Sequence, residues 1–155
     1  MKTKKVVDRT KQDADALKGL KSKIKNFEEL RNEYDLTEEH NSTKAILRRM
    51  GEVLEGHIKI LIQLLQPEEF HSLHECTVFD DPDKEKIFEL YKNLMITHRE
   101  ILKTEILNDE KNNIATINYV HEELKKIKPE MLKIISKMQD SWKTKAVKGK
   151  ERYFG

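Results

Sequence analysis

The chain has 155 residues, of which 37% are charged and 37% are hydrophobic, and its formal net charge is +2. Five glycines and three prolines are too few for a β-sandwich or β-barrel, and no apolar run approaches the roughly 20 residues of a membrane-spanning helix. The balanced charge and the many Leu and Ile residues argue against disorder. These features predict one all-α domain.

Both ends of the chain are basic, and the body between them is acidic. Residues 1–11 and 143–155 each carry five basic side chains and one acidic one, so each end has a charge of +4 and residues 12–142 have −6. We therefore divide the chain into a basic N-terminal tail (1–11), a helical bundle (12–147) and a basic, aromatic C-terminal tail (148–155).

The cellular compartment is predicted from the start of the chain and from its cysteine content. The first eight residues contain no apolar stretch, so a signal peptide is not expected. The single Cys76 cannot form an internal disulfide, which is typical of a reducing compartment. We therefore expect a cytoplasmic protein.

The first two predicted helices follow from apolar residues that recur every three or four positions. The first helix spans about residues 12–34. The second begins after the N-cap Thr37 and ends near residue 66, with Ser42 or Thr43 as competing caps. Gly51 and Gly56 inside the second helix indicate a close contact with another helix.

A short helix is predicted from Pro67 to Cys76, ahead of two more long helices. The third long helix has Asp81 as its N-cap, begins at Pro82 and continues to about residue 107. The fourth spans about residues 110–145 and contains Pro129, which predicts either a kink or two abutting helices.

Four wide apolar faces favour a four-helix bundle, most simply up-down-up-down, with the short helix between helices 2 and 3. The alternative is an extended helical hairpin that completes its core by dimerising.

Histidines near the apolar faces raise the question of a metal site. His98 and His121 should lie at similar heights on neighbouring antiparallel helices, with Glu105 on the same face as His98, and bundles bind metals through such layers. A ferritin-like site, however, needs two Glu-x-x-His motifs, and the only one here ends at His71 on the short helix. We expect no cofactor and treat these histidines as partly buried polar side chains.

No catalytic motif is recognisable in the sequence. His71, His74 and Cys76 lie close together, but zinc needs four ligands and the sequence offers no second local pair. Glycine-rich phosphate loops and nucleophile motifs are absent from the sequence. The protein is therefore not expected to be an enzyme.

Two surfaces are predicted to bind partners. The first is an apolar end of the bundle, with Val78 beside the main candidates Phe70, Leu73, Phe79 and Trp142. The second is the C-terminal region, whose basic and aromatic side chains suit phosphates and unpaired bases. Its candidate residues are Lys143, Lys145, Lys148, Lys150, Arg152, Tyr153 and Phe154.

The sequence therefore predicts a non-enzymatic helical protein that binds a macromolecular partner, most simply another protein, through a helix face or its basic tails. One alternative is an RNA- or ribosome-associated factor that uses the tails. Another is a metal-binding His/carboxylate bundle. A homodimer is also left open.

Overall fold

The structure, a computed structural model, describes the backbone of residues 2–143 and the side chains of residue 12 and residues 14–143. These residues form helices and no strand, which confirms the all-α prediction. None of the described helices combines the length and the apolar character needed to cross a bilayer. The helices are α1 (Lys2–Lys23), α2 (Phe27–Glu33), α3 (Thr43–Leu65), α4 (Phe70–Cys76), α5 (Asp81–Leu107) and α6 (Glu110–Lys143).

Three long helices, α3, α5 and α6, pack against one another around the core. Gly51 lies opposite Ile101 and Glu55 lies opposite His98, so α3 and α5 run antiparallel. The short connection at Asn108 reverses the chain again, which makes α6 antiparallel to α5. The core contains the fully buried side chains Leu30, Ile46, Leu47, Met50, Leu54, Leu61, Leu94, Ile101 and Ile117.

The predicted first helix is interrupted, and the four-helix bundle is not confirmed. Asn26 adopts a left-handed conformation with φ of 58°, which asparagine tolerates better than most residues, and it separates α1 from α2. The short α2 buries Phe27 and Leu30, whereas Leu20 is the only buried residue among the described side chains of α1. The helix predicted over residues 12–34 is therefore two helices, of which α1 already begins at Lys2.

Hydrogen bonds at the helix ends explain where α3 begins. The Ser42 hydroxyl accepts from the Ala45 backbone N–H at 3.1 Å, so the competing cap Ser42 begins α3. The Thr37 backbone N–H instead donates to the His40 ring at 3.0 Å, and Thr37 begins no helix.

The starts of α4 and α5 also differ from the prediction. Pro67 precedes α4, whose N-cap is Glu69. The N-cap of α5 is Asp80, whose carboxylate accepts from the Asp83 N–H at 2.9 Å, so Asp81 lies inside the first turn.

Two further expectations about the helix interiors are corrected. Helix α6 passes through Pro129 as one element, so the prediction of two abutting helices is wrong. A Cβ added at Gly56 would meet nothing within 4 Å, and one at Gly51 would meet only Ile101, at 3.9 Å. Neither glycine is therefore required by a close helix contact.

A buried polar layer joins the three long helices near the α5–α6 connection. The Thr104 and Thr116 hydroxyls lie 2.8 Å apart, and the Asn113 amide donates to the Thr43 hydroxyl at 3.1 Å. Because these buried groups satisfy one another, a shift of register between the helices would leave them unpaired.

Candidate functional site

One face of α6 carries side chains spaced by three or four residues along much of the helix. Side chains at this spacing lie on the same side of a helix. Other elements cover the two ends of this face and leave its middle open. Its described members are His121, Lys125, Lys128, Leu132, Ile135, Gln139 and Trp142.

Helix α2 covers the first half of this face. Lys125 contacts Glu29 at 2.6 Å, and Lys128 contacts Glu33 at 3.2 Å. At the end of α1, Lys23 contacts Glu110 at 3.0 Å. The residue numbers rise on both sides of these pairs in the same order. Helix α2 therefore runs parallel to α6, in the direction from the start of α6 toward its middle.

Helix α4 covers the far end of the face. The His74 and Trp142 rings lie 4.3 Å apart between centroids, and the Trp142 indole donates to the Glu75 carboxylate at 2.8 Å. The His74 Nε2 lies 3.3 Å from the Ser141 carbonyl oxygen. These contacts fix the only tryptophan of the chain against α4.

Apolar side chains are exposed on α6 between the α2 and α4 contacts, and on α4 beside Trp142. Leu132 and Ile135 of α6 are 58% and 42% exposed, and Trp142 is 51% exposed. On α4, Phe70 and Leu73 are 66% and 50% exposed, and both lie within one turn of His74, which touches Trp142. We call these five residues the α4–α6 patch. Large exposed apolar patches commonly mark interaction surfaces.

The structure places the sequence-predicted interface residues in two different environments. Phe70, Leu73 and Trp142 are each exposed, whereas Phe79 is only 5% exposed and lies beneath the Lys137 ammonium group, 5.1 Å from the ring centroid. Val78 packs against the core. The Phe79 ring therefore belongs to the core cluster, and its role as an interface residue stays a prediction.

A second cluster lies where α2 meets α6. The His121 side chain is buried, and its Nδ1 lies 3.3 Å from the Tyr34 hydroxyl. Glu33 Oε2 is 3.7 Å from the same nitrogen, and Glu29 Oε2 is 3.8 Å from Nε2. His121 Nε2 is buried and has no hydrogen-bond partner. We call Glu29, Glu33 and His121 the His121 cluster.

The charges around His121 shift the ionisation of its neighbours. Burial raises the pKa of the Tyr34 phenol far above its usual range, and the carboxylates of Glu33 and Glu29 raise it further. The hydrogen bond from Lys125 lowers the pKa of Glu29, and the same contact raises the pKa of Lys125. Tyr34 is therefore a neutral phenol beside two carboxylates.

The predicted metal candidates are not brought together. His98 Nε2 bonds Glu55 Oε1 at 3.0 Å, on the α3 side of α5. Across the described part of the chain, the only set of three side chains with metal-ligand spacing is the His121 cluster, without His98 or Glu105. Sequence spacing could not reveal this set, because its carboxylates come from α2, whose separation from α1 was not predicted.

The histidines and the cysteine near α4 point in different directions. His71 pairs with Glu69, His74 contacts α6, and the Cys76 thiol donates to the Leu73 carbonyl oxygen. They form no common site.

Of the C-terminal candidates, only Lys143 lies among the described residues, and it pairs with Asp140 at 3.0 Å. The other six lie outside the described residues, so their role in binding stays a prediction. They are Lys145, Lys148, Lys150, Arg152, Tyr153 and Phe154.

Comparisons with known proteins leave the site geometry as the basis for any functional conclusion. No protein-family model matches the chain, and no curated protein or solved structure is significantly similar to it.

Proposed function

We propose that this protein is a non-enzymatic interaction module that binds an amphipathic helix of a protein partner on the α4–α6 patch. The observation that supports the proposal is the uneven covering of one α6 face. Helix α2 is joined to its first half by the Lys125–Glu29 and Lys128–Glu33 ion pairs, and α4 contacts its end at Trp142. The apolar side chains of Leu132 and Ile135 remain exposed between them.

The position of the patch favours a helix as the ligand. On the first half of this face the neighbouring element is itself a helix that runs parallel to α6, so a bound helix would extend the same arrangement along the open half. From Leu132 to Trp142 the face is about 15 Å long at 1.5 Å per residue, which matches about three turns. Helix-in-groove recognition uses apolar residues at positions i, i+3 or i+4, and i+7.

A matched pair of variants tests this proposal. Leu132→Asp and Ile106→Asp each place one charge at an exposed helical position, since these side chains are 58% and 85% exposed. Ile106 lies near the α5–α6 connection, far from the patch. Tagged wild-type protein and both variants are used to capture partners from their own cells with nuclease treatment, and captured proteins are purified and titrated while Trp142 fluorescence is followed.

We expect to capture a protein that binds the wild type and Ile106→Asp directly and changes the Trp142 emission. Its affinity for Leu132→Asp should be at least about tenfold lower. Equal binding by all three proteins overturns it. Self-association that is abolished by Leu132→Asp but not by Ile106→Asp would identify a second copy of this chain as the ligand of the patch. It would overturn the proposal that a different protein binds there.

The RNA-binding alternative predicts a different result in the same experiment. Binding would disappear with nuclease, weaken steeply with salt and require residues 143–155 rather than Leu132. We place the proposed interaction in the cytoplasm, where the lone Cys76 would remain reduced.

A further inference from the structure

We infer that the His121 cluster is a binding site for a divalent transition-metal ion, with zinc as the best match. His121 Nε2, Glu29 and Glu33 would supply the three protein ligands. This site is separate from the α4–α6 patch and does not depend on the proposed function.

The buried, unpartnered nitrogen is the first observation that points to a ligand. His121 is 2% exposed, and its Nε2 has no hydrogen-bond partner. Buried polar atoms are nearly always paired, so an orphaned ring nitrogen needs an explanation. Its nearest charged neighbour is Glu29 Oε2 at 3.8 Å, which is too long for a hydrogen bond.

The arrangement of the carboxylate oxygens is the second observation. Glu29 and Glu33 are four residues apart on α2 and therefore share a face. Each uses Oε1 to contact a lysine. The other oxygen of Glu29 lies 3.8 Å from His121 Nε2, whereas that of Glu33 lies 3.7 Å from Nδ1. One ligand atom from each of the three residues lies within 4.8 Å of the others. Tetrahedral zinc holds its ligands about 3.4 Å apart, so the Glu33 carboxylate would have to move from the Nδ1 side of the ring toward Nε2 to close the site.

The donor set selects the class of ion. One imidazole nitrogen with two carboxylate oxygens suits zinc or a similar divalent metal, and a water molecule would complete four-coordination. The other ring nitrogen, Nδ1, lies 3.3 Å from the Tyr34 hydroxyl. Donation from Nδ1–H to this oxygen would fix the tautomer that leaves the Nε2 lone pair free for a metal.

Two lysines face the same carboxylates and oppose a cation. Lys125 and Lys128 hold the Oε1 atoms of Glu29 and Glu33, and their side chains are 36% and 62% exposed. Both can move into solvent when a metal takes over the carboxylates. Removal of Lys125 should therefore tighten metal binding, whereas removal of a carboxylate should weaken it.

Zinc titration by calorimetry, and cobalt(II) titration by visible absorption, test the inference on the full chain. Wild type should bind about one equivalent and give the intense absorption of four-coordinate cobalt. Glu29→Gln and Glu33→Gln, at partly exposed positions where the fold should persist, should each weaken binding at least about tenfold. Lys125→Ala should strengthen it severalfold.

His98→Asn is the matched control, because His98 also pairs with a glutamate but belongs to no three-ligand group. It should bind zinc as wild type does. Failure of wild type to bind zinc, or equal binding by the Glu29→Gln, Glu33→Gln and wild-type proteins, would overturn the inference. Circular dichroism of every variant shows whether the helical fold persists, so that a loss of zinc binding can be distinguished from unfolding.

Discussion

Two isoleucines of α5 provide a direct test of the core. Ile101 and Ile106 both lie in α5, yet they are 2% and 85% exposed. Ile→Ala at a buried position costs about 2–5 kcal/mol. Ile101 faces Gly51, which has no side chain that could relax into the cavity, so we expect about 3–4 kcal/mol. Ile106→Ala should change stability by less than about 0.5 kcal/mol.

Thermal and urea unfolding followed by circular dichroism measure this difference. For a chain of this size, 3–4 kcal/mol lowers Tm by roughly 6–16 °C. Ala is also the better helix former, so Ile106→Ala should leave Tm unchanged or slightly raised. Equal losses for the two variants would show that the outer side of α5 is buried in the native protein. A loss below about 1 kcal/mol for Ile101→Ala would refute the placement of the core.

Three further outcomes are expected. Gly56→Ala should stabilise α3 by about 0.5–1 kcal/mol in urea unfolding, because the added methyl group meets no other atom within 4 Å. Ser42→Ala should cost about 1 kcal/mol in the same assay, whereas Thr37→Ala should cost less, since only Ser42 caps a helix. The folded pKa of Tyr34 lies above its unfolded value, so its contribution to stability is complete below about pH 10 and is lost as the pH rises further. Ultraviolet absorbance should therefore show one tyrosine that ionises only as the protein unfolds.

Most long helices could be predicted from the sequence, because apolar periodicity directly reflects burial on one helix face. The C-terminal end of α5 and the short connection at Asn108 also follow from local turn chemistry, whereas the N-cap of α5 lies one residue before the predicted Asp81. Apolar residues alone do not fix which side of α5 is buried, because Leu102 and Ile106 are apolar but exposed.

The break at Asn26 could not be predicted from periodicity. The apolar spacing continues through it from Ile24 to Phe27, and only the left-handed backbone at Asn26 redirects the chain. This break turns α2 along α6 and places Glu29 and Glu33 beside His121. The histidine was recognisable as a candidate ligand, but its partners depend on a tertiary contact that sequence spacing does not encode.

Only part of the α4–α6 patch could be predicted from the sequence, because its exposure also depends on tertiary contacts. Phe70 and Trp142 lie near the ends of their helices and Leu73 lies in the short α4, where incomplete covering is expected. Ile135 is also exposed, although a complete four-helix bundle would have covered it. Its exposure follows from the short length of α2, which leaves the second half of the α6 face open.

The most direct test of the central claim is photo-crosslinking at the α4–α6 patch. A photoreactive amino acid replaces Leu132 in one protein and Ile106 in another, and both are irradiated in their own cells. We predict a defined protein adduct at position 132 and none at 106, with cross-linked partner residues spaced three or four apart along one helix. The absence of an adduct at 132, or the same adduct at both positions, would contradict the claim that this face binds a helix.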